Sequence, residues 1–309
     1  MQQFLKKFIF FLLPVFAVIT LAEYLLRKIP NDYSLKEDSY TKHAENFETL
    51  ILGNSHAIYD LNPAFFKGNT FNGGHVAQTL DLDAAIFKTF QPRLTKLKYL
   101  IIPISDMSLF FRLETSGENW RIKNYSIYYH LYTTNRIADY SEVLSLPFSI
   151  NRNRLITWYI RKDSNSTITS LGYGTNYNSK FNRDLDSSGR ETAKVHKVKN
   201  FKDFPIEKRS LEQIIASCAK NKIRVILFTP PAYFTYTSGI DPAQLRITIH
   251  TCDSLAAACK NVYYYNLLND PSFTAVDFFD ADHLNEKGAR KLSLMIDSMR
   301  IHLPARSSW

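Results

Sequence analysis

Two short segments carry residue types whose spacing suits serine chemistry. The first is Leu52-Gly53-Asn54-Ser55-His56, and the second is Asp277-Phe278-Phe279-Asp280-Ala281-Asp282-His283-Leu284-Asn285. A nucleophilic serine needs an exposed hydroxyl on a tight turn where backbone N–H groups converge. It also needs a histidine as general base, and a carboxylate to fix the tautomer of that histidine. Gly53 permits a tight exit from a strand, which leaves Ser55 at the start of a following helix. There its own N–H and the helix dipole favour a developing oxyanion. Asp280 and His283, three residues apart, bring a carboxylate to Nδ1 and leave Nε2 for the serine. Ser55, His283 and Asp280 are therefore the expected nucleophile, base and orienting acid. Asp277 and Asp282 are alternative orienters with a poorer spacing to His283. His56 and His75 are read as polar neighbours of the site; a zinc site built from them lacks a third ligand at a recognisable spacing. No metal and no organic cofactor is expected.

These residues need elements that bring the two ends of the chain together. Residues 47–52 form a short apolar strand, 70–72 a second, and 97–104 (LKYLIIPI) a third. Residues 224–229 (RVILFT) and 261–265 supply two more. Helical spacing runs through 76–90, 211–220, 244–258 and 286–301. Strands apolar throughout, alternating with helices, imply a parallel sheet covered on both faces. The expectation is a three-layer αβα domain with a central, mainly parallel sheet, whose ligands sit at the carboxyl ends of the strands. Residues 107–200, rich in Tyr, Arg, Asn and Ser, interrupt the alternation and read as an insertion, either a solvated decoration or a glycan- or membrane-facing surface.

With the elements in order, the two segments resemble the SGNH (GDSL-like) hydrolase superfamily, in its membrane-anchored esterase and O-acyltransferase-like branch. Gly53-Asn54-Ser55-His56 is similar to the family's first block, and Asp280-x-x-His283 to its last. The resemblance spans about 47–301, leaves 107–200 unaligned, and implies an SGNH, flavodoxin-like arrangement. It also implies an oxyanion hole in which the Gly74 N–H, from Asn72-Gly73-Gly74, joins that of Ser55. The third block departs from the family. Pro103-Ile104-Ser105-Asp106 stands where an asparagine is expected, so Ser105 is the substitute donor. The nucleophile-elbow pattern G-x-S-x-G is not met, since Ala57 occupies its last position and acid and base are near neighbours.

The N-terminus sets the compartment. Residues 8–26 (FIFFLLPVFAVITLAEYLL) are apolar enough, and at 1.5 Å per residue long enough, for a hydrocarbon core of about 30 Å. The expected order is a cytoplasmic leader at 1–7, a transmembrane anchor at 8–28, a polar linker at 29–46, and the catalytic domain at 47–303 outside the cytoplasm. A cleaved signal peptide is the alternative. Cys218, Cys252 and Cys259 make no disulfide framework. Asn124 and Asn165 head N-x-S/T sequons, which matter only in a glycosylating host.

The net charge of +9 over 309 residues is spread along the chain. It favours an anionic neighbourhood over nucleic acid, for which no motif is present. The expected activity is that of a membrane-tethered serine esterase or O-acyltransferase acting on an acylated cell-envelope glycan or polymer. The resemblance adds a membrane-bound O-acyltransferase as a partner. Two other readings stay open: a lipid-directed esterase, and an inactive SGNH-fold envelope scaffold.

Overall fold

A computed structural model describes residues 1–163, 166–181 and 183–304; Asn165 lies outside them. The chain divides into two compact units, one of residues 1–37 with 117–166, the other of 38–116 with 167–309.

The second unit is built on five strands: β1 (Thr49–Ile51), β2 (Thr70–Asn72), β3 (Tyr99–Pro103), β4 (Arg224–Thr229) and β5 (Val262–Asn266). Their order is β2-β1-β3-β4-β5, with every pairing parallel. Successive side chains on a strand point to opposite faces, so the register shows how this sheet is buried. Ile51, Ile101, Ile226 and Tyr263 lie in one row across β1, β3, β4 and β5. That row packs with Ala57 and Leu61 from the first turn after β1, and with Leu292 and Ile296 from the closing helix Glu286–Ile301. The adjacent row, Leu50, Leu100, Val225 and Val262, is fully buried on the opposite face. Helices Leu80–Phe90 and Phe204–Lys220 pack against each other, and Phe204–Lys220 also packs on β4. Burying each such Leu or Ile contributes about 1.5–3 kcal/mol, and both faces use it. The α/β class with a parallel sheet is thus as the apolar strands imply.

The first unit holds the long apolar helix Gln2–Arg27, long and apolar enough to cross a membrane. At its distal end Glu23 bonds Arg27, and it also accepts from Ser141 Oγ (2.8 Å) and the N–H groups of Glu142 (3.1 Å) and Val143 (2.9 Å). This carboxylate seats the start of helix Glu142–Ser145. Glu142 is itself buried with Lys123, Tyr128 and Arg154 around it, and the Arg154 and Lys123 cations hold its carboxyl down at about 2 against the upward pull of burial.

Two boundaries differ from the sequence reading. The polar stretch 29–46, expected as a linker, contains helix Asp32–His43, with Lys36 and Tyr40 buried. Its burial comes from the aliphatic stem of a lysine and from an aromatic ring, which a search for apolar period passes over. The 107–200 insertion is also not one body. Residues 117–166 fold with the N-terminal helix, while 167–200 belong to the sheet unit. Asn124 is buried within helix Ile122–Tyr128, so its sequon is closed to a glycosylating enzyme. The three cysteines are free thiols.

Candidate active site

Ser55 opens helix Ser55–Asp60 directly beyond the carboxyl end of β1. The turn that delivers it depends on Gly53, whose φ of +124° is open to glycine and costly for other residues. A Cβ there would also press on the Pro103 ring at 3.1 Å. The Gly53 N–H donates to Asp83 Oδ1 at 3.0 Å, tying the turn to helix Leu80–Phe90. Burial pushes the Asp83 carboxyl up to about 7, although the bonds from Gln78 and Gly53 oppose the shift.

His283 and Asp280 come from the loop between β5 and the closing helix. Asn285 fixes that loop: its side-chain oxygen caps the helix by accepting from the Lys287 and Gly288 N–H groups, and its Nδ2 donates to the Val276 and Phe278 carbonyls. The second half of the insertion adds support. Arg183 N–H donates to the Phe279 carbonyl at 2.7 Å, and Ser188 Oγ accepts from the Ala281 N–H at 3.2 Å.

The three residues singled out by the sequence meet. His283 Nε2 lies 2.8 Å from Ser55 Oγ, and His283 Nδ1 lies 3.1 Å from Asp280 Oδ1. That same oxygen accepts from the His283 N–H (2.8 Å) and the Asp282 N–H (3.0 Å). Burial alone would raise the Asp280 carboxyl; the His283 imidazole and these N–H groups hold it well below the usual carboxylate range. Burial works the other way on His283, against its charged form, yet Asp280 and then Asp282 outweigh it and push the imidazole up to about 10. Ser55 remains partly open to solvent and the His283 side chain is 12% exposed, so an acyl group can reach the hydroxyl.

Of the alternative orienters, Asp277 is turned away, capping its own turn through Thr274 and pairing with Lys291 at 2.6 Å. Asp282 does face the site, with Oδ2 3.7 Å from His283 Nε2. His56 stacks on His283 with ring centroids 4.8 Å apart, and its Nδ1 lies 2.8 Å from Asp60 Oδ2. Asp60 Oδ1 in turn accepts from the Leu284 N–H at 2.9 Å, linking the serine helix to the histidine loop. The Asp60 contribution was missed from sequence, although His56 and Asp60 stand four apart on one helix face, a readable signal. Tyr177 was missed too. It stacks between Tyr59 (3.8 Å) and Phe279 (4.2 Å) and meets His283 edge-on, so an aromatic wall flanks the base. His75 is buried, and its N–H donates to the Gly53 carbonyl at 3.1 Å in the turn that delivers the serine.

The expected oxyanion donors fare unequally. The Ser55 N–H sits at the first position of its helix, where no intrahelical acceptor exists. The Gly74 N–H donates to Asn72 Oδ1 at 3.0 Å. Asn72 is held in turn by its Nδ2, which donates to the carbonyls of Ala57 (2.6 Å) and Leu61 (2.8 Å). Ser105 is tied to Ser108 through both its N–H and its hydroxyl. Asp106 beside it accepts from Tyr236 and Gln244 and serves the core. Gly74 therefore has a packing role that is visible directly: a Cβ there would stand 2.6 Å from Ala57 Cβ and 2.8 Å from the Gly53 carbonyl. Gly74→Ala is expected to lower stability by about 1–3 kcal/mol, read as a fall in the urea midpoint at unchanged slope.

No protein-family model matches the chain, and no curated protein does. Among solved structures, the chain is similar to a GDSL-like lipase from Bacteroides thetaiotaomicron VPI-5482, at 14% identity and a TM-score of 0.39, covering 88% of this chain and 100% of that one. An acylhydrolase, so proposed, from Bacteroides fragilis NCTC 9343 gives 14% identity and 0.39, covering 88% and 96%. A proposed platelet activating factor from Streptococcus pneumonia gives 11% and 0.43, covering 94% and 99%. At such identities and scores the geometry of the site has to carry the chemistry.

Proposed function

We propose that this chain is a serine-dependent ester hydrolase or O-acyltransferase, tethered to a membrane by its N-terminal helix, with its sheet unit outside the cytoplasm. The observation that carries the reading is the unbroken relay from Ser55 Oγ through His283 to Asp280. Ser55 Oγ attacks an ester carbonyl while its proton passes to His283 Nε2. The tetrahedral oxyanion faces the Ser55 N–H, and Gly74 joins if its N–H is shared with Asn72. His283 then gives its proton to the leaving alkoxide, and the acyl group rests on Ser55. Water or a sugar hydroxyl, deprotonated by His283, releases it. Asp280 keeps the imidazole oriented and stabilises its charged form throughout.

The substrate class in this reading is an acylated envelope glycan. The aromatic stack of Tyr59, Tyr177 and Phe279 lines the base with apolar surface, and the positive net charge suits an anionic polymer. A membrane-bound O-acyltransferase is the partner this reading places beside it. The second reading, an inactive scaffold, draws on the internal hydrogen bonds of Gly74 and Ser105, which leave the oxyanion site short of free donors. A fluorophosphonate probe decides between them. Active protein is labelled once, at Ser55, and Ser55→Ala is not labelled; folded wild-type protein that resists the probe belongs to the scaffold class.

A further inference from the structure

Asp282 is a buried carboxylate, 3% exposed, whose Oδ2 has no hydrogen-bond partner. An unpaired buried oxygen of this kind is costly unless something fills the space before it. Three ring nitrogens surround the carboxylate at closely similar distances: His56 Nε2 at 3.6 Å, His283 Nε2 at 3.7 Å and His196 Nδ1 at 3.8 Å. Each is too long for a hydrogen bond. His196 is otherwise engaged, through Nδ1 and the Tyr236 hydroxyl at 2.8 Å. His56 and His283 are not alike in origin, one from the serine helix and one from the last loop, yet they are built alike. Each has its Nδ1 against a carboxylate, Asp60 for His56 and Asp280 for His283, and each turns Nε2 toward Asp282.

That pattern is how proteins present histidine to a metal ion, with an outer carboxylate fixing the tautomer and raising the basicity of the ligating nitrogen. Tetrahedral zinc with bonds of about 2.0–2.1 Å separates its ligand atoms by about 3.3 Å. Taking one ligand atom from each, His56, Asp282 and His283 lie within 4.8 Å of one another; Asp282 presents Oδ1 to His56 Nε2 at 3.6 Å and Oδ2 to His283 Nε2 at 3.7 Å. Small side-chain rotations close the remainder. Three carboxylates, Asp60, Asp280 and Asp282, converge on two imidazoles, a charge balance that favours a cation.

We propose that His56, Asp282 and His283 bind one divalent transition-metal ion of the zinc type, and that binding takes His283 Nε2 away from Ser55 and silences the serine. Two nitrogens and one oxygen suit zinc and its neighbours better than magnesium or calcium, which take oxygen shells. Solvent or Ser55 Oγ completes the fourth position. The inhibitory half rests on the serine reading above; the binding half does not.

The test separates them. Full-length Ser55→Ala protein in detergent micelles, stripped with a chelator and dialysed, is titrated with Zn2+ by calorimetry and with Co2+ by visible absorption. One ion per chain and the d–d bands of a tetrahedral cobalt site are expected. His56→Gln should abolish the cobalt bands, and Asp60→Asn, which removes an outer partner only, should weaken binding about ten- to a hundredfold. No binding, or binding that His56→Gln leaves unchanged, overturns the site. In wild-type protein one equivalent of Zn2+ should cut ester turnover at least tenfold, reversibly on chelation; undiminished or increased turnover with the ion bound overturns the inhibition. Turnover without metal binding sinks this inference alone, and metal binding to a protein with no turnover sinks the esterase reading and the inhibitory half with it, leaving the binding site standing.

Discussion

Replacing Ser55 by alanine is expected to lower ester turnover by about 10⁶-fold, with the thermal midpoint almost unmoved. The size follows from the role. With Oγ gone, His283 has no hydroxyl to deprotonate, and what survives is binding and whatever oxyanion stabilisation the Ser55 N–H still gives. The small structural effect follows from position: Ser55 is partly exposed at a helix start whose cap is the Asn54 side chain, and a surface substitution there shifts stability within about 0.5 kcal/mol. His283→Ala should cost a similar factor, and the double variant no more than either alone, because the pair works as one unit. Steady-state hydrolysis of an acetyl ester, followed beside circular dichroism, checks the result. Turnover that survives Ser55→Ala refutes the assignment of the nucleophile, and additive losses in the double variant refute the coupling to His283.

How much of this was legible before the fold was known differs from residue to residue. The strand at 224–229 and the closing helix at 286–301 lie where apolar runs and helical period put them, because both are governed by burial on a known face. The sequence also singled out Ser55, Asp280 and His283, since a local Asp-x-x-His turn limits where a carboxylate can point. It was silent where partners come from afar. Asp282 had been weighed only as a substitute orienter for His283, and nothing in its spacing says that His56, more than two hundred positions earlier, turns Nε2 toward it. Tyr177 lies in a stretch without hydrophobic period, held beside the base by the Gly174 N–H bond to the Ile58 carbonyl on the serine helix and by Ser179 bonding Glu286. The N-terminal half of the insertion was likewise hidden, because its organising groups, Glu23 and Glu142, are charged residues that a search for apolar faces treats as surface.

Asp280→Asn carries the second large effect, and it tests direction as well as size. The amide keeps the shape of the carboxylate but offers Nδ1 a donor as readily as an acceptor, so the imidazole tautomer that leaves Nε2 free is no longer enforced. A fall of about 10⁴ in kcat is expected. The pH profile should move as well. A general base works in its neutral form, so kcat/KM rises with pH through the pKa of His283 in the free enzyme. In the wild type Asp280 is the strongest of the charges that raise that pKa, with Asp282 next, and the acid limb lies well to the alkaline side of an ordinary histidine near 6.5. Removing the Asp280 charge lowers the pKa of His283, which shifts the limb toward lower pH even as the plateau drops. Asp282→Asn, which leaves Nδ1 and its partner untouched, should move the limb in the same direction by less and spare the tautomer. Profiles recorded with a chelator present distinguish the two carboxylates: a lower plateau with an unmoved limb would mean that Asp280 orients His283 without setting its charge.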